Sequence, residues 1–288
     1  MFSNRTSITR GCFLAAGVLA MAGMALASST ASAAVIYQGN FTGTEGMGSL
    51  NGTSVTVGPN ASNYVSGSLS STWLATSSSS YGWSDSGYFN DSANNPGRAT
   101  AQLNFTPLSG DIYTLSATVS LTNGANTAAY LSIGFLSNAN SSNLTAGWDN
   151  GNVTSGDVSA SPWVLVTWEN DAGTYFTGPG TKNAAGFSTG QSGALTNDNF
   201  EIVLNTTGAD TSNSPWTYQI YNNNTLVSGS NPIDLPAGTV INEVGMQAAS
   251  ATGTVSSFEL ATVPEPATLG LVAVGGLGLL LLKRRKAV

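Results

Sequence analysis

Side chains in the middle of this chain alternate strictly between apolar and polar. Over Tyr113 to Leu121, apolar residues occupy every second position and Ser or Thr occupies each position between them. A strand turns successive side chains to opposite faces, whereas a helix repeats its apolar face every three to four residues. The pattern therefore predicts a half-buried β-strand of nine residues.

The same period returns along the chain, between turn signals such as Asn95-Pro96-Gly97, Asn123-Gly124, Gly178-Pro179-Gly180 and Asn222-Asn223-Asn224. No stretch of the middle carries a helical period. Further strands are predicted at Val35 to Phe41, Ala99 to Phe105, Ala129 to Phe135, Trp163 to Glu169, Phe200 to Leu204, Trp216 to Ile220, Val244 to Met246 and Phe258 to Leu260. Many strands joined by polar turns predict an all-β fold, an antiparallel β-sandwich of the jelly-roll, concanavalin A-like type.

Charge and reactive side chains exclude several functions for the body, Ala34 to Thr262. The body contains fourteen Asp and Glu but only two basic residues, Arg98 and Lys182. Its net negative charge repels the phosphates that nucleic-acid binding depends on. The body has neither Cys nor His, which removes disulfides, thiol nucleophiles and Cys/His metal sites. Ser-rich runs such as Ser77 to Ser80 suit disorder, but the strand periodicity argues against disorder for most of the body.

The first 33 residues have the three parts of a secretory signal peptide. Arg5 and Arg10 give a positive start, and Gly11 to Ala27 is apolar and uncharged. Ala31 and Ala33 place small residues where signal peptidase requires them. We predict cleavage after Ala33, with Ala34 as the close alternative. An uncleaved membrane anchor is the other interpretation.

The last residues have a different three-part order. Pro264, Glu265 and Pro266 precede an apolar stretch, Ala267 to Leu282, and the basic cluster Lys283, Arg284, Arg285 and Lys286 follows. Sixteen helical residues span about 24 Å, a little less than the hydrocarbon core, and the cations hold their end on the cytoplasmic side. We predict a membrane-anchoring transmembrane helix here. A buried core helix is the alternative.

This C-terminal order resembles the PEP-CTERM sorting signal of bacterial exported proteins. The resemblance implies that the tail, residues 263–288, holds the protein in the inner membrane until an exosortase, a membrane-embedded cysteine protease, acts near the Pro-Glu-Pro sequence. It also implies that the body, residues 34–262, then reaches the cell surface or extracellular matrix.

Two stretches of the body resemble the LamG-like sandwiches found ahead of such tails. They are Ala101 to Leu121 followed by Tyr130 to Phe135, and the closing strand Gly253 to Leu260. This resemblance implies the same concanavalin A-like sandwich.

Exposed aromatic residues are a candidate sugar-binding feature. Tyr81, Trp83, Tyr88 and Phe89 lie in a polar stretch rich in Gly and Ser, and Trp148 lies beside Asp149. Aromatic rings also fill sandwich cores, which is the interpretation favoured for the tryptophans in strand-like contexts: Trp163, Trp168 and Trp216.

Oxygen-rich loops and paired carboxylates are further candidate sites. Asp149 to Asn152, and Asn197 to Asn199 with Glu201, have calcium-type donors but lack the EF-hand order and also suit ordinary turns. Glu169 and Asp171 have a same-face spacing that suits a glycosidase pair, but also suits a strand end. We therefore assign no catalytic residue, metal ligand or cofactor.

The sequence as a whole predicts a non-enzymatic surface or extracellular-matrix protein associated with exopolysaccharide. Its expected partners are an exosortase-type protease and the membrane, through the C-terminal helix. A carbohydrate-binding module is the first alternative, and a divergent glycoside hydrolase is the second.

Overall fold

A computed structural model gives the architecture of the body. It describes residues 33–39, 41, 49–75, 82–90, 98–124, 130–136, 163–169, 172–178, 189–190, 195–228, 231–249 and 251–263. All of these fall in one compact unit, Ala33–Pro264. The secretory segment and the apolar C-terminal segment lie outside the described residues. Among the described residues, no helix is long and apolar enough to span a membrane.

Strands make up nearly all the regular structure of the described part, together with one short 3-10 turn at Ala61–Asn63. In chain order they are β1 Ala34–Gly39, β2 Val55–Val57, β3 Leu74–Ala75, β4 Tyr88–Asn90, β5 Arg98–Asn104, β6 Ile112–Gly124, β7 Tyr130–Leu136, β8 Trp163–Glu169, β9 Ala172–Gly178, β10 Thr189–Gly190, β11 Leu195–Asn205, β12 Thr217–Asn222, β13 Thr225–Leu226, β14 Ile233–Asp234, β15 Glu243–Ala249 and β16 Ala251–Val263.

These strands form two antiparallel sheets. The nine-stranded sheet runs β13-β12-β11-β6-β16-β1-β2, with β14 beside β12 and β4 beside β16. The seven-stranded sheet runs β10-β9-β8-β7-β15-β5-β3. Sequence neighbours such as β15 and β16 lie in different sheets, so the chain crosses repeatedly between the two layers. The predicted all-β antiparallel sandwich is confirmed, whereas the LamG and concanavalin A-like assignments remain predictions.

Strand alternation places the apolar residues of both sheets in one core. In β6 every second side chain from Tyr113 to Leu121 is buried, while Ser116 and Thr118 on the other face stay partly exposed. The inward residues of β5, β7 and β15 from the other sheet are buried in the same cluster. Their removal from water is the main stabilising contribution that a chain without disulfides has available.

Aromatic rings and one tyrosine hydroxyl join the two layers. Phe105, which follows β5 of the seven-stranded sheet, meets Tyr113 of the nine-stranded sheet edge-on, with ring centroids 5.1 Å apart. The Tyr37 hydroxyl of β1 donates to the Asn104 carbonyl oxygen of β5 at 2.6 Å and accepts from the Ser70 amide at 2.8 Å. Burial raises the pKa of Tyr37 to about 12.

Each strand predicted from the sequence is present, and β8 has the predicted bounds. The sequence did not predict β9, which has seven residues, or the short strands β2, β3, β4, β10, β13 and β14. The expected turn at Asn123-Gly124 is wrong, because β6 continues through both residues and pairs them with Thr252 and Ala251 of β16. Pairing along a central strand outweighs the local turn preference of Asn-Gly.

The Asn-rich segment after β12 is a tight hairpin. Asn222 pairs with Thr225, which leaves a two-residue loop of Asn223 and Asn224. Both loop residues have positive φ, 49° and 63°. A type I′ turn requires this conformation at both positions, and Asn tolerates it better than most residues. The breaker predicted from Asn222-Asn223-Asn224 is thus a hairpin that brings β13 beside β12.

Candidate functional site

The body passes directly into the C-terminal tail at the end of β16. This strand ends at Val263, the residue before Pro264, and it lies between β6 and β1 in the sheet. Thr262 is buried and pairs with both Tyr113 and Ala34, while Val263 pairs with Ile112 and is 42% exposed. No linker therefore separates the sheet from the residues predicted to direct sorting.

The predicted cleavage and sorting residues lie almost entirely outside the described part of the chain. These are Ala31, Pro264, Glu265, Pro266, Lys283, Arg284, Arg285 and Lys286. Ala33 is described; it is exposed and immediately precedes β1. Cleavage after Ala33 would leave the whole of β1 in the mature protein, but the cleavage itself remains a prediction.

The outer side of the nine-stranded sheet carries an array of polar side chains. We call it the polar face: Ser116 and Thr118 of β6, Asn199 and Glu201 of β11, Tyr221 of β12, and Ser257 and Glu259 of β16. Strand register aligns these residues, because Ser116 lies opposite both Glu201 and Glu259 and Tyr221 lies on the far side of Glu201. The alternation that fills the core thus also produces this face.

Hydrogen bonds order one row of the polar face. The Ser257 hydroxyl donates to Thr118 Oγ1 at 2.9 Å, and Asn199 Nδ2 donates to the same oxygen at 3.4 Å. The Thr118 amide in turn donates to Ser257 Oγ at 3.1 Å. These hydroxyl and amide groups are fixed in position while remaining at the surface.

The polar face is acidic. Its carboxylates belong to Glu201 and Glu259, and no strand of the nine-stranded sheet contains Lys or Arg. Arg98 is the one cation among the described residues, and it lies in the other sheet. Burial raises the pKa of Glu201, since the charged carboxylate is partly removed from water. Such a face suits neutral or cationic ligands and repels anionic ones.

The aromatic cluster suggested by the sequence is not an exposed platform. Trp83 is 2% exposed, packs against Phe89 at a centroid distance of 5.5 Å, and donates from Nε1 to the Ala99 carbonyl oxygen at 3.1 Å. Phe89 is fully buried, whereas Tyr88 is partly exposed. Surface display of Trp83 is therefore wrong, because its ring fills space beside β4 and β5. Tyr81 and Trp148 lie outside the described residues.

The sequence predicts core positions for Trp163, Trp168 and Trp216. The structure is consistent with this for Trp216, which is partly buried and packs against the core. The side chains of Trp163 and Trp168 lie outside the described part, as do the suggested carboxylates of Glu169 and Asp171 and the loop Asp149 to Asn152.

Strand alternation places the calcium-type donors suggested at Asn197 to Asn199 and Glu201 on two different faces of the sheet. Asp198 points into the sandwich, whereas Asn197, Asn199 and Glu201 lie on the outer side. Asn197 donates its amide to Ser120 Oγ at 2.9 Å. The four residues therefore do not form one ligand set. Asn223, which the sequence marked only as a breaker, instead donates from Nδ2 to Asp198 Oδ1 at 2.9 Å.

Comparison with protein families identifies one segment of the chain. The family model described as the PEP-CTERM protein-sorting motif matches residues 262–286. The chain therefore carries this sorting motif, as its sequence predicted, and Thr262 and Val263 belong both to the matched segment and to β16. No curated protein matches the chain.

Solved structures with partial similarity include sugar-related proteins. The carbohydrate recognition domain of Emp47p has 13% identity and a TM-score of 0.43, covering 65% of this chain and 87% of that one. The alginate lyase Aly36B, as a double mutant in complex with alginate trisaccharide, has 12% identity and a TM-score of 0.39, covering 66% and 87%.

A third structure is described as "Prominent members of the human gut microbiota express endo-acting O-glycanases to initiate mucin breakdown". It has 8% identity and a TM-score of 0.45, covering 80% of this chain and 100% of that one. At these values the similarities assign neither a fold family nor an activity to this chain.

Proposed function

We propose that this chain is an exported, non-enzymatic component of the cell surface or extracellular matrix, sorted by an exosortase-type protease. The PEP-CTERM match at residues 262–286 is the observation that carries the proposal. In the sequence, Pro-Glu-Pro is followed by an apolar stretch and a basic cluster. The position of the Pro-Glu-Pro sequence directly after β16 supports it further, because processing there would release an intact sandwich.

Replacement of Pro264, Glu265 and Pro266 by Ala tests the sorting role. The apolar stretch and the basic cluster stay intact, so we expect the variant to insert in the membrane but fail to reach the surface. Deletion of residues 267–288 removes the anchor and should release the body unsorted. Pro236→Ala, which removes an exposed proline of the body, is the matched control.

The measurement is cell fractionation with immunoblotting in a host that has a matching exosortase. Surface transfer of the triple variant at the wild-type level would reduce the motif to a linker and would end the proposal.

A carbohydrate-binding role for the body is the first alternative, and the polar face favours it. Sugars present many hydroxyl groups, which the fixed hydroxyls and amides of this face and the carboxylates of Glu201 and Glu259 can bind. The acidic charge of the face selects neutral polysaccharides over uronate-bearing or sulfated ones. The ring of Tyr221, partly exposed beside Glu201, offers a stacking surface.

A glycan array probed with the exported protein tests this alternative. We expect Tyr221→Ala to lower affinity for a neutral glycan by about tenfold, the usual effect of removing one aromatic ring from a binding site. Asp234→Asn, an exposed change on β14, should leave binding unchanged. Binding restricted to anionic glycans, or a Tyr221→Ala variant that binds as wild type, would rule out the polar face as the binding surface.

Hydrolysis, the second alternative, rested in the sequence on Glu169 and Asp171, and the polar face offers a second pair of carboxylates for it. Glu201 and Glu259 lie one strand either side of Ser116, which places their Cα atoms roughly 9–10 Å apart. Inverting glycosidases separate their carboxyl groups by about 6.5–9.5 Å across a cleft. Release of reducing ends from a polysaccharide, lost in Glu201→Gln, would replace the non-enzymatic proposal with this one.

A further inference from the structure

Two oxygen-bearing side chains face inward where β11 begins and β12 ends. Asp198 of β11 is 8% exposed and Asn222 of β12 is 5% exposed. Asn222 lies opposite Phe200, and Asp198 precedes Phe200 by two residues on the same face. Diagonal neighbours on adjacent strands are about 7 Å apart at Cα, which is within reach of these side chains.

These two side chains are poorly supplied with hydrogen-bond donors. Among the described residues, the single side-chain donor to the Asp198 carboxylate is Asn223 Nδ2, at 2.9 Å. Asn222 Oδ1 is buried and has no hydrogen-bond partner in the described structure. The strands of this sheet contain no Lys or Arg that would neutralise the carboxylate.

This arrangement is costly unless something positive lies beside it. A buried carboxylate requires a counter-charge or several donors, and a buried acceptor without a donor adds its own desolvation cost. A cation in contact with both oxygens removes both costs at once.

We propose that Asp198 and Asn222 Oδ1 bind a calcium-type cation at the start of β11. The donors are all oxygens, the class that hard cations select, and amide oxygens together with a single carboxylate suit the flexible coordination of Ca²⁺ better than the strict octahedron of Mg²⁺. One formal charge makes the site weak, with a Kd on the order of 10⁻⁴–10⁻³ M, as in extracellular modules.

This site is separate from the polar face and does not depend on the sorting proposal. Asn199 and Glu201 lie on the opposite side of β11. It also differs from the calcium candidates suggested by the sequence, because Asn222 comes from the neighbouring hairpin. Among the described residues no three His, Cys, Asp or Glu side chains cluster, so a site here needs the amide oxygen. Cation binding would fasten the edge hairpin of β12 and β13 to β11.

The test uses the purified full-length protein in detergent, treated with EDTA and then titrated with CaCl₂, with MgCl₂ and NaCl at matched ionic strength. Calorimetry gives the Kd and thermal unfolding gives the Tm. We expect the wild-type Tm to rise by about 3–6 °C at a Ca²⁺ concentration tenfold above the Kd. Asp198→Asn should abolish the rise, and Asp234→Asn, the matched exposed carboxylate, should keep it.

Asn222→Asp provides a test in the opposite direction. Two buried carboxylates should lower the Tm in EDTA below that of wild type, whereas added Ca²⁺ should restore it and bind about tenfold more tightly. If the Asn222 amide instead donates to Asp198, the variant stays destabilised at every Ca²⁺ concentration, and the proposal is wrong.

Three further outcomes would also overturn it. They are a wild-type Tm that does not respond to Ca²⁺, an equal response to Na⁺ at matched ionic strength, and equal responses from Asp198→Asn and Asp234→Asn.

Discussion

Two tyrosines that are equally buried in the core should differ in how the stability of the protein responds to loss of the hydroxyl group. Tyr113 and Tyr218 both lie on the inner side of the nine-stranded sheet and are almost completely buried. The Tyr113 hydroxyl accepts from the Leu108 amide at 2.7 Å and donates to the Tyr64 carbonyl oxygen at 2.8 Å. The Tyr218 hydroxyl is buried with no partner among the described residues.

Tyr113→Phe keeps the ring but leaves the Leu108 amide and the Tyr64 carbonyl without their partner. Each half-buried group left unpaired costs up to about 1–3 kcal/mol, and access to water lowers that cost, so we expect a total loss of about 2–3 kcal/mol. For a body of this size, this corresponds to a Tm lower by roughly 4–12 °C. Tyr218→Phe removes a desolvated, unsatisfied hydroxyl, so stability should be unchanged or higher by about 1 kcal/mol.

Thermal and urea unfolding of the two variants, followed by circular dichroism beside wild type, measures the difference. The denaturant m-value should be the same in all three proteins, which shows that the variants share one folded state. Equal losses in Tyr113→Phe and Tyr218→Phe would refute the reasoning, because hydrogen bonding would then contribute nothing beyond ring packing.

Four other expectations can be checked directly. N-terminal sequencing of the exported protein should begin at Ala34 or Val35, and a mature chain that still starts at Met1 would contradict signal cleavage. Glu201→Gln should raise the Tm at neutral pH. Burial raises the pKa of Glu201 above the 4.5 of the unfolded chain, so the protonated carboxyl stabilises the fold fully below pH 4.5, and this stabilisation is lost as the pH rises through the folded-state pKa. Gln keeps a neutral side chain at every pH. Alkaline titration should destabilise the fold above pH 10, because burial holds the pKa of Tyr37 at about 12 while an unfolded tyrosine ionises near 10, and a Tm constant up to pH 12 would contradict this. Gly245→Ala should lower stability by about 1–3 kcal/mol in urea unfolding, because the added Cβ meets the backbone of Ala101 and Gln102 in β5.

The long strands could be predicted because the alternation of apolar and polar residues that defines them lies within each strand. From Tyr113 to Leu121, each residue type specifies its own face, and the structure buries those faces as expected. Strands of two or three residues, such as β3 and β4, are too short to show a period. The prediction that Trp83 is exposed was wrong because it relied on the polar neighbours of Trp83 in the sequence. The ring is buried by contacts with β5 and Phe89.

Non-local contacts explain what the sequence did not predict about the sites. The polar face depends on the register that aligns Glu201, Ser116 and Glu259, residues far apart in the chain. The pairing of β11 with β12 makes Asp198 and Asn222 diagonal neighbours, and nothing near either residue in the sequence indicates the other. The sorting motif was predictable because its three parts are contiguous in the sequence, and the match to residues 262–286 confirms it.

The direct passage of β16 into the tail has a mechanical consequence. If the tail anchors the protein as proposed, a load on the body from fluid flow or from a bound polymer enters the sheet at the C-terminal end of β16. That strand pairs with β6 at twelve positions and also with β1, so a pull directed along it would load many backbone hydrogen bonds together in shear. Parallel loading of this kind resists rupture better than a strand peeled from an edge one bond at a time. An anchored body would thus be held through a strand that is paired on both sides, an attachment suited to withstanding drag.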